Sequence, residues 1–374
     1  MIFTFFIIIL LYLFIIGIFI FGFDKVPVFK LEDMSSKTNF SIVIPFRNEA
    51  ENLPDLLESI KSLNYPNHLF EVIFINDDSE DDSVEIIQKF FNKSQTNFSI
   101  TSNERKTNSP KKDAITIAIE KAKYNWIITT DADCQLPKFW LDSFDEYIQK
   151  HDVISIAAPV TYKEKNAFLN RFQILDMLSL QGATIGGFGI KKPFLCNGAN
   201  FAYKKSTFKA LNGFEENTNI ASGDDIFLLE KIAKKHPKQV AYLKCNQAIV
   251  KTESQSNWRS LISQRIRWAA KTSAYNNWFG KLTGLVVLIM NALIIISLLL
   301  SCIGAINYST CFYIFIIKFS IDFLLIYKSA TFFNQKNVLI SYIFGFLVYP
   351  FFSVYVACIS SFSGYKWKGR HFKK

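Results

Sequence analysis

Residues 126–134 read WIITTDADC, a short β-rich run that carries Asp131 and Asp133 out of its C-terminal end. Two carboxylates one residue apart, where a buried strand opens into a loop, form a seat for a divalent cation that holds a phosphorylated ligand. Upstream, residues 40–45 (FSIVIP) are β-branched and short, as a strand closed by Pro45 should be. Leu53, Leu56, Leu57 and Ile60 then recur at helical spacing. A second unit of the same kind follows, with residues 71–75 (EVIFI) as strand, the acidic turn 76–82 (NDDSEDD), and a helix over 84–91. Residues 98–102 make a third strand and 111–123 a helix before WIITT. This alternation predicts an α/β fold with a mostly parallel central sheet and helices on both faces.

Beyond the DAD triplet the alternation weakens. Residues 154–160 read as a strand, 168–182 as a helix, and 182–189 as a glycine-rich loop whose spacing fits a flexible cover rather than a phosphate cradle. A second polar cluster runs through NGAN (197–200), LNGFEE (211–216) and SGDD (222–225). Asp224 and Asp225 open a helix there, where the helix dipole favours the ionised carboxylate. Residues 240–243 read as a further strand. Over 258–271, Trp258, Leu261, Ile262, Ile266 and Ala269 share one helical face, while Gln264, Arg267 and Lys271 point the other way with Trp268 at the border. Such a helix suits a membrane surface, with Arg265 snorkelling to headgroups.

Half the residues are apolar, more than the core of a soluble enzyme requires. Residues 2–23 carry no charge and approach the ~20 residues that cross a bilayer. They lack the basic start and small-residue cleavage site of a signal peptide, so they are expected to remain as an anchor. Three further apolar segments, 282–304, 308–327 and 338–360, are long enough to span. The middle one carries Lys318 and Asp322 at a spacing that lets them neutralise each other. Three spans after a cytosolic domain would put the basic tail outside, against the positive-inside tendency. Either the tail is an exception or one segment, such as that with Pro350, re-enters. The six scattered cysteines fit free thiols, with neither a zinc site nor a disulfide frame. The net charge of +10 comes without a nucleic-acid recognition signature, and attraction to anionic membrane lipids accounts for it.

Together, VIPFRNE (43–49), INDDSED (75–81), DAD (131–133), SGDD (222–225) and QRIRW (264–268) resemble the membrane-embedded family 2 glycosyltransferases of GT-A fold. That group includes cellulose, chitin and hyaluronan synthases, with ceramide and hopanoid sugar transferases as relatives. The resemblance implies that Pro45, Arg47, Glu49 and Asp77 floor a uridine pocket and that Lys111 or Lys112 lies near the nucleotide. It implies that Asp131 faces the ribose, and that Asp133 binds Mg2+ or Mn2+ at the diphosphate. It makes Asp225, preceded by Asp224, the base for the acceptor hydroxyl. Gln264 and Arg267 would serve the pyrophosphate side, and Gly198, Asn200 and Trp268 the acceptor side. Gly223 stands where the polymer synthases commonly have threonine.

The implied function is inverting transfer from a UDP-sugar to a membrane lipid or lipid-linked acceptor at the cytosolic face of a bacterial inner membrane. Processive polysaccharide synthesis is the alternative; a non-enzymatic membrane scaffold leaves the acidic strand ends unexplained. The tail YKWKGRHF (365–372) faintly resembles that of lipid glycosyltransferases. The expected organisation is an anchor (1–23), a linker (24–39), a GT-A catalytic domain (40–254), an interface helix (255–280), a membrane region (281–361) and a basic tail (362–374).

Overall fold

The computed structural model describes every residue except Met1, Lys93, Ser94, Ala221, Ser363, Lys368, Gly369, Lys373 and Lys374. Three lysines of the expected basic tail thus lie outside the described residues. In chain order, helix α1 (Ile2–Lys25) precedes β1 (Phe40–Phe46), α2 (Leu53–Lys61), β2 (Phe70–Asn76), α3 (Ser83–Phe91), β3 (Asn97–Ser102) and α4 (Pro110–Lys121). Next come β4 (Trp126–Thr129), β5 (Cys134–Gln135), α5 (Trp140–Lys150), β6 (Ser155–Ala157), β7 (Val160–Tyr162), α6 (Phe168–Gly189), β8 (Phe201–Lys204) and α7 (Lys205–Ala210). The chain ends with α8 (Asp224–Lys235), β9 (Val240–Tyr242), β10 (Val250–Thr252), α9 (Trp258–Ala270), α10 (Trp278–Cys302), α11 (Tyr308–Phe332), α12 (Tyr342–Phe362), β11 (Tyr365–Trp367) and β12 (Arg370–Phe372). It forms two compact units: Met1–Val26, Glu164–Phe194 and Ser254–Lys374 in the first, Pro27–Lys163 and Leu195–Glu253 in the second. The expected unbroken domain over 40–254 is therefore interrupted, because α6 packs with the apolar helices.

The second unit is built on a seven-stranded sheet ordered β3-β2-β1-β4-β8-β6-β9. β1 pairs parallel with β2 and β4, and β2 parallel with β3. β1 and β4 are apolar along nearly their whole length and buried on both faces, the pattern of strands inside a parallel sheet. β1 runs one residue past Pro45, whose missing N–H costs little at a strand end. β8 enters antiparallel between β4 and β6. The single strand expected over 154–160 is two: β6 stays in the large sheet, while β7 joins β10 and β5 in a second one. Pro159 falls at the break, where a residue without an N–H cannot continue a ladder.

The expected linker is strapped down along its second half. Backbone N–H groups of Glu32 and Met34 donate to the Glu146 carboxylate at 2.8 and 3.0 Å, and those of Lys37 and Thr38 to Asp145. Both carboxylates lie on α5 and are buried.

Among the described residues, the first unit holds four helices long and apolar enough to cross a membrane: Phe3–Lys25, Trp278–Cys302, Tyr308–Phe332 and Lys336–Phe362. Pro350 lies inside α12 without ending it. The glycine-rich stretch 182–189 is not a loop; α6 runs through it to Gly189. A Cβ on Gly189 would fall 1.8 Å from the Gly22 carbonyl oxygen, and one on Gly186 2.5 Å from that of Phe19. Glycine costs a helix about 1 kcal/mol per residue, but here its absent side chain lets α6 touch the backbone of α1. Lys318 and Asp322 do pair, at 2.6 Å, and the Tyr12 hydroxyl donates to the same carboxylate. β11 lies beside α9.

Candidate active site

Parallel register brings the loops after β1 and β2 side by side, with Phe46 opposite Asn76. Arg47 laces them together. Its guanidinium donates to the carbonyls of Asp77 and Asp78 and pairs with Glu80 at 3.0 Å. Further bonds run from the N–H groups of Asn48, Glu49 and Ala50 to Ser79, Ser83 and Asp81. Glu49 accepts from Asn52 at 2.7 Å, and Pro45 is the next-to-last residue of β1. Hydrogen bonds from Arg47 and Arg105 hold the Asp78 carboxyl below its usual range.

Asp77 is buried, and its Oδ1 accepts from Asn103 Nδ2 and Arg105 Nε, both at 2.8 Å. Neither Asn103 nor Arg105 was expected from the sequence. The available signal was their position directly after the third parallel strand, at the level where β1 and β2 also open into polar loops. Asp113 fixes the next turn by accepting from the N–H groups of Lys106 and Thr107.

A tighter cluster forms where β4, α4, α8 and the turn at Gly198 converge. Lys111, in the first turn of α4, contacts Asp131 Oδ1 at 2.7 Å and Asp224 Oδ2 at 3.6 Å. Burial pulls its ammonium down, but Asp131 and Asp224, with Asp225 behind them, outweigh this and hold it well above its ordinary value. Thr129, the last residue of β4, donates to the Gly198 carbonyl at 2.7 Å and anchors that turn. Gly198 donates its N–H to Asp225 Oδ2 at 3.0 Å, and the N–H of Ile226 meets the other oxygen at 2.8 Å. One backbone donor on each oxygen fixes the plane of this carboxylate. A Cβ on Gly198 would lie 3.1 Å from Asp224 Oδ2 and 3.6 Å from Lys111 Nζ, so a side chain there would push the Asp224 carboxylate aside by a few tenths of an ångström. Gly223, at φ +86°, lets the chain turn sharply into α8. Asp133 follows Asp131 in a turn closed by the Cys134 N–H onto the Asp131 carbonyl. Burial, with Asp133 adding to it, raises the Cys134 thiol well above its usual range and keeps it protonated.

Two expected site residues are elsewhere. Lys112 is buried one residue round α4, donating to the carbonyls of Asn217 and Ile220 at 2.7 and 2.9 Å with its ammonium over Phe227. It staples a loop, and Lys111 is the lysine among the acids. Asn200 is fully buried; its amide bridges the carbonyls of Pro159 and Ala248 and accepts from Trp140. Gln264, Arg267 and Trp268 lie on α9 in the first unit. Arg265 does not snorkel: it is buried against Asp176 at 2.7 Å.

Residues 41–211 match the model of the family described as glycosyl transferase family 2. The undecaprenyl-phosphate 4-deoxy-4-formamido-L-arabinose transferase of Pseudomonas savastanoi pv. phaseolicola is 39% identical over 98 residues, 26% of this chain and 28% of that protein. The poly-beta-1,6-N-acetyl-D-glucosamine synthase of Staphylococcus epidermidis is 24% identical over 237 residues, 61% of this chain and 53% of the synthase. The chain thus spans about half or less of the length of these relatives. A mannosyltransferase from Pyrobaculum calidifontis, solved with GDP-Man and Mn2+, shares the fold at a TM-score of 0.58 and 17% identity, covering 92% of this chain and 96% of its own. Residues 41–211 are therefore similar to the glycosyl transferase family 2 domain, and the fold is GT-A-like.

Proposed function

We propose that the protein transfers a sugar from a UDP-sugar to a membrane lipid or lipid-linked acceptor, with inversion, at the cytosolic face of a bacterial inner membrane. The observation that carries this reading is the Asp225 carboxylate, set by two backbone N–H groups beside the Lys111–Asp131–Asp224 cluster. Asp225 takes the proton from the acceptor hydroxyl as that oxygen bonds to the anomeric carbon; the bond from that carbon to the diphosphate breaks on the opposite face, and UDP leaves. Asp77, with Asn103 and Arg105 on it, supports a pocket for the uracil edge, while Arg47 and Glu49 shape its walls.

Asp131 and Asp133 offer hard oxygen donors at a strand end, and the Asp131 side chain is 37% exposed. Among the described residues no three His, Cys, Asp or Glu side chains gather into a metal cage. A pair of carboxylates fits an ion completed by diphosphate oxygens and water. Asp133 would hold Mg2+ or Mn2+, with Asp131 toward the ribose; when bound, the ion neutralises charge developing on the departing diphosphate. Lys111 holds Asp131 and Asp224 in place while the site waits for nucleotide. Gln264, Arg267 and Trp268 keep the roles that the family resemblance implies.

The Pseudomonas relative acts, by its name, on undecaprenyl phosphate, which favours a lipid acceptor. The match to the poly-beta-1,6-N-acetyl-D-glucosamine synthase extends over more of this chain and supports polymer synthesis as the second reading. UDP release by the purified full-length protein, given a panel of UDP-sugars, Mn2+ and membrane lipid, tests the proposal. Asp225→Asn should lower transfer by roughly 10²–10⁴-fold while still binding UDP. Equal turnover by wild type and variant, or no UDP binding by either, would end the enzyme reading. Product masses then separate a single addition to lipid from a polymer ladder.

A further inference from the structure

We propose that Asp176 on α6 is a positioning residue for the Gln264–Arg267–Trp268 motif, acting through Arg265. The inference rests on the function proposed above, and all its geometry lies within the first unit. Arg265 stands inside the motif and touches two of its members. Its guanidinium lies 4.2 Å from the centre of the Trp268 ring and donates to the Gln264 side-chain oxygen. On its other side Arg265 Nε donates to Asp176 Oδ2 at 2.7 Å, with only 7% and 5% of the two side chains exposed.

α6 also holds the approach to α9. Gln173 exchanges two hydrogen bonds with the backbone of Gln255, and Asn170 donates to Ser254 at 2.9 Å. Phe172 packs on Trp258 at 5.2 Å. These contacts set where α9 begins, and Asp176 sets its rotation. At ~100° per residue, Trp268, Gln264 and Arg267 lie about 60°, 100° and 160° from Arg265, all on one flank. Rolling the helix would break the ion pair and seal the Asp176 carboxylate away from its arginine. A buried pair of this kind adds little stability over apolar packing, yet it tolerates few geometries.

The test compares Asp176→Asn and Asp176→Glu in the full-length protein in detergent, below the unfolding transition of each. Asp176→Asn should lower kcat for transfer by roughly 10²-fold, the effect of displacing a site by about 1 Å, and raise KM for the acceptor. Its affinity for UDP with Mn2+, read by calorimetry, should fall as Gln264 and Arg267 leave the pyrophosphate side. Asp176→Glu, which restores the charge one methylene further out, should recover most of the rate. The tryptophan emission that Trp268→Phe removes should shift in Asp176→Asn, since the guanidinium no longer stacks there. A kcat for Asp176→Asn within twofold of wild type overturns the proposal, as does a rate that Asp176→Glu fails to raise above that of Asp176→Asn. If the wild type transfers no sugar at all, the functional reading fails, while the Trp268 emission still decides the positioning.

Discussion

Lys111 and Arg265 are both buried cations facing aspartates, one in each unit, and they differ in what else can reach the pair. Lys111 sits among three carboxylates, and its nearest partner, Asp131, has more than a third of its side chain exposed. Arg265 and Asp176 are almost fully sealed. Water or a ligand can take over part of the pairing of Lys111, whereas the pair of Asp176 and Arg265 is closed to solvent. The same chemistry makes an exchangeable cluster in one unit and a fixed joint in the other.

The contrast should be largest in stability. Arg265→Met strands the Asp176 carboxylate in a dry site and is expected to cost about 3–5 kcal/mol, read by thermal unfolding of the detergent-solubilised protein. A loss no larger than that of Lys111→Met would erase the distinction between joint and cluster.

The strap before β1 supplies an intermediate case, since Asp145 and Glu146 are buried carboxylates satisfied chiefly by backbone N–H groups. Asp145→Ala leaves the N–H groups of Lys37 and Thr38 without an acceptor and should cost about 1–3 kcal/mol. Limited proteolysis between residues 27 and 39 should accelerate with it. An unchanged cleavage rate would mean that the strap is held by its packing alone.

Lys111→Gln should change stability by about 1 kcal/mol or less, because an exposed partner is screened by water. The raised lysine value makes the contribution of the pair complete below the ordinary lysine pKa and lost only as pH climbs beyond it, so it is constant around neutrality. The pH–rate profile is more sensitive. Without the ammonium, three neighbouring carboxylates repel, protonation becomes easier, and the acid limb of transfer should move to higher pH. A limb that stays in place would mean that Lys111 does not set the charge state of the cluster.

What the sequence discloses follows the same division. β1, β2 and β4 are legible because strands buried on both faces read as apolar runs, and Asp131, Asp224 and Asp225 are legible because acids at strand ends and helix starts are unusual. β8 is not: four residues inserted antiparallel between distant strands carry no periodicity of their own. Asn200 misleads because an amide beside a glycine looks the same whether it meets a ligand or bridges Trp140, Pro159 and Ala248. The α6 glycines mislead for a related reason. Local propensity counts against glycine in a helix, and only the backbone of α1 against it explains Gly186 and Gly189. Arg265 is assigned to headgroups by any helical wheel, since its partner Asp176 lies on another helix.

The smallest effect belongs to Glu85 and Lys89, an ion pair one turn apart on α3 that is mostly exposed on both sides. The Lys89 ammonium draws the Glu85 carboxyl below its usual range. A depressed carboxylate contributes to folding above its ordinary value and loses that contribution as pH falls through the depressed one. Water competes for both groups throughout, so Glu85→Gln should leave the melting temperature unchanged at neutral pH and in mild acid alike. A measurable drop at neutral pH that disappears on acidification would show that exposure is not what separates the pairs, and the contrast between Lys111 and Arg265 would then need a cause other than their access to solvent.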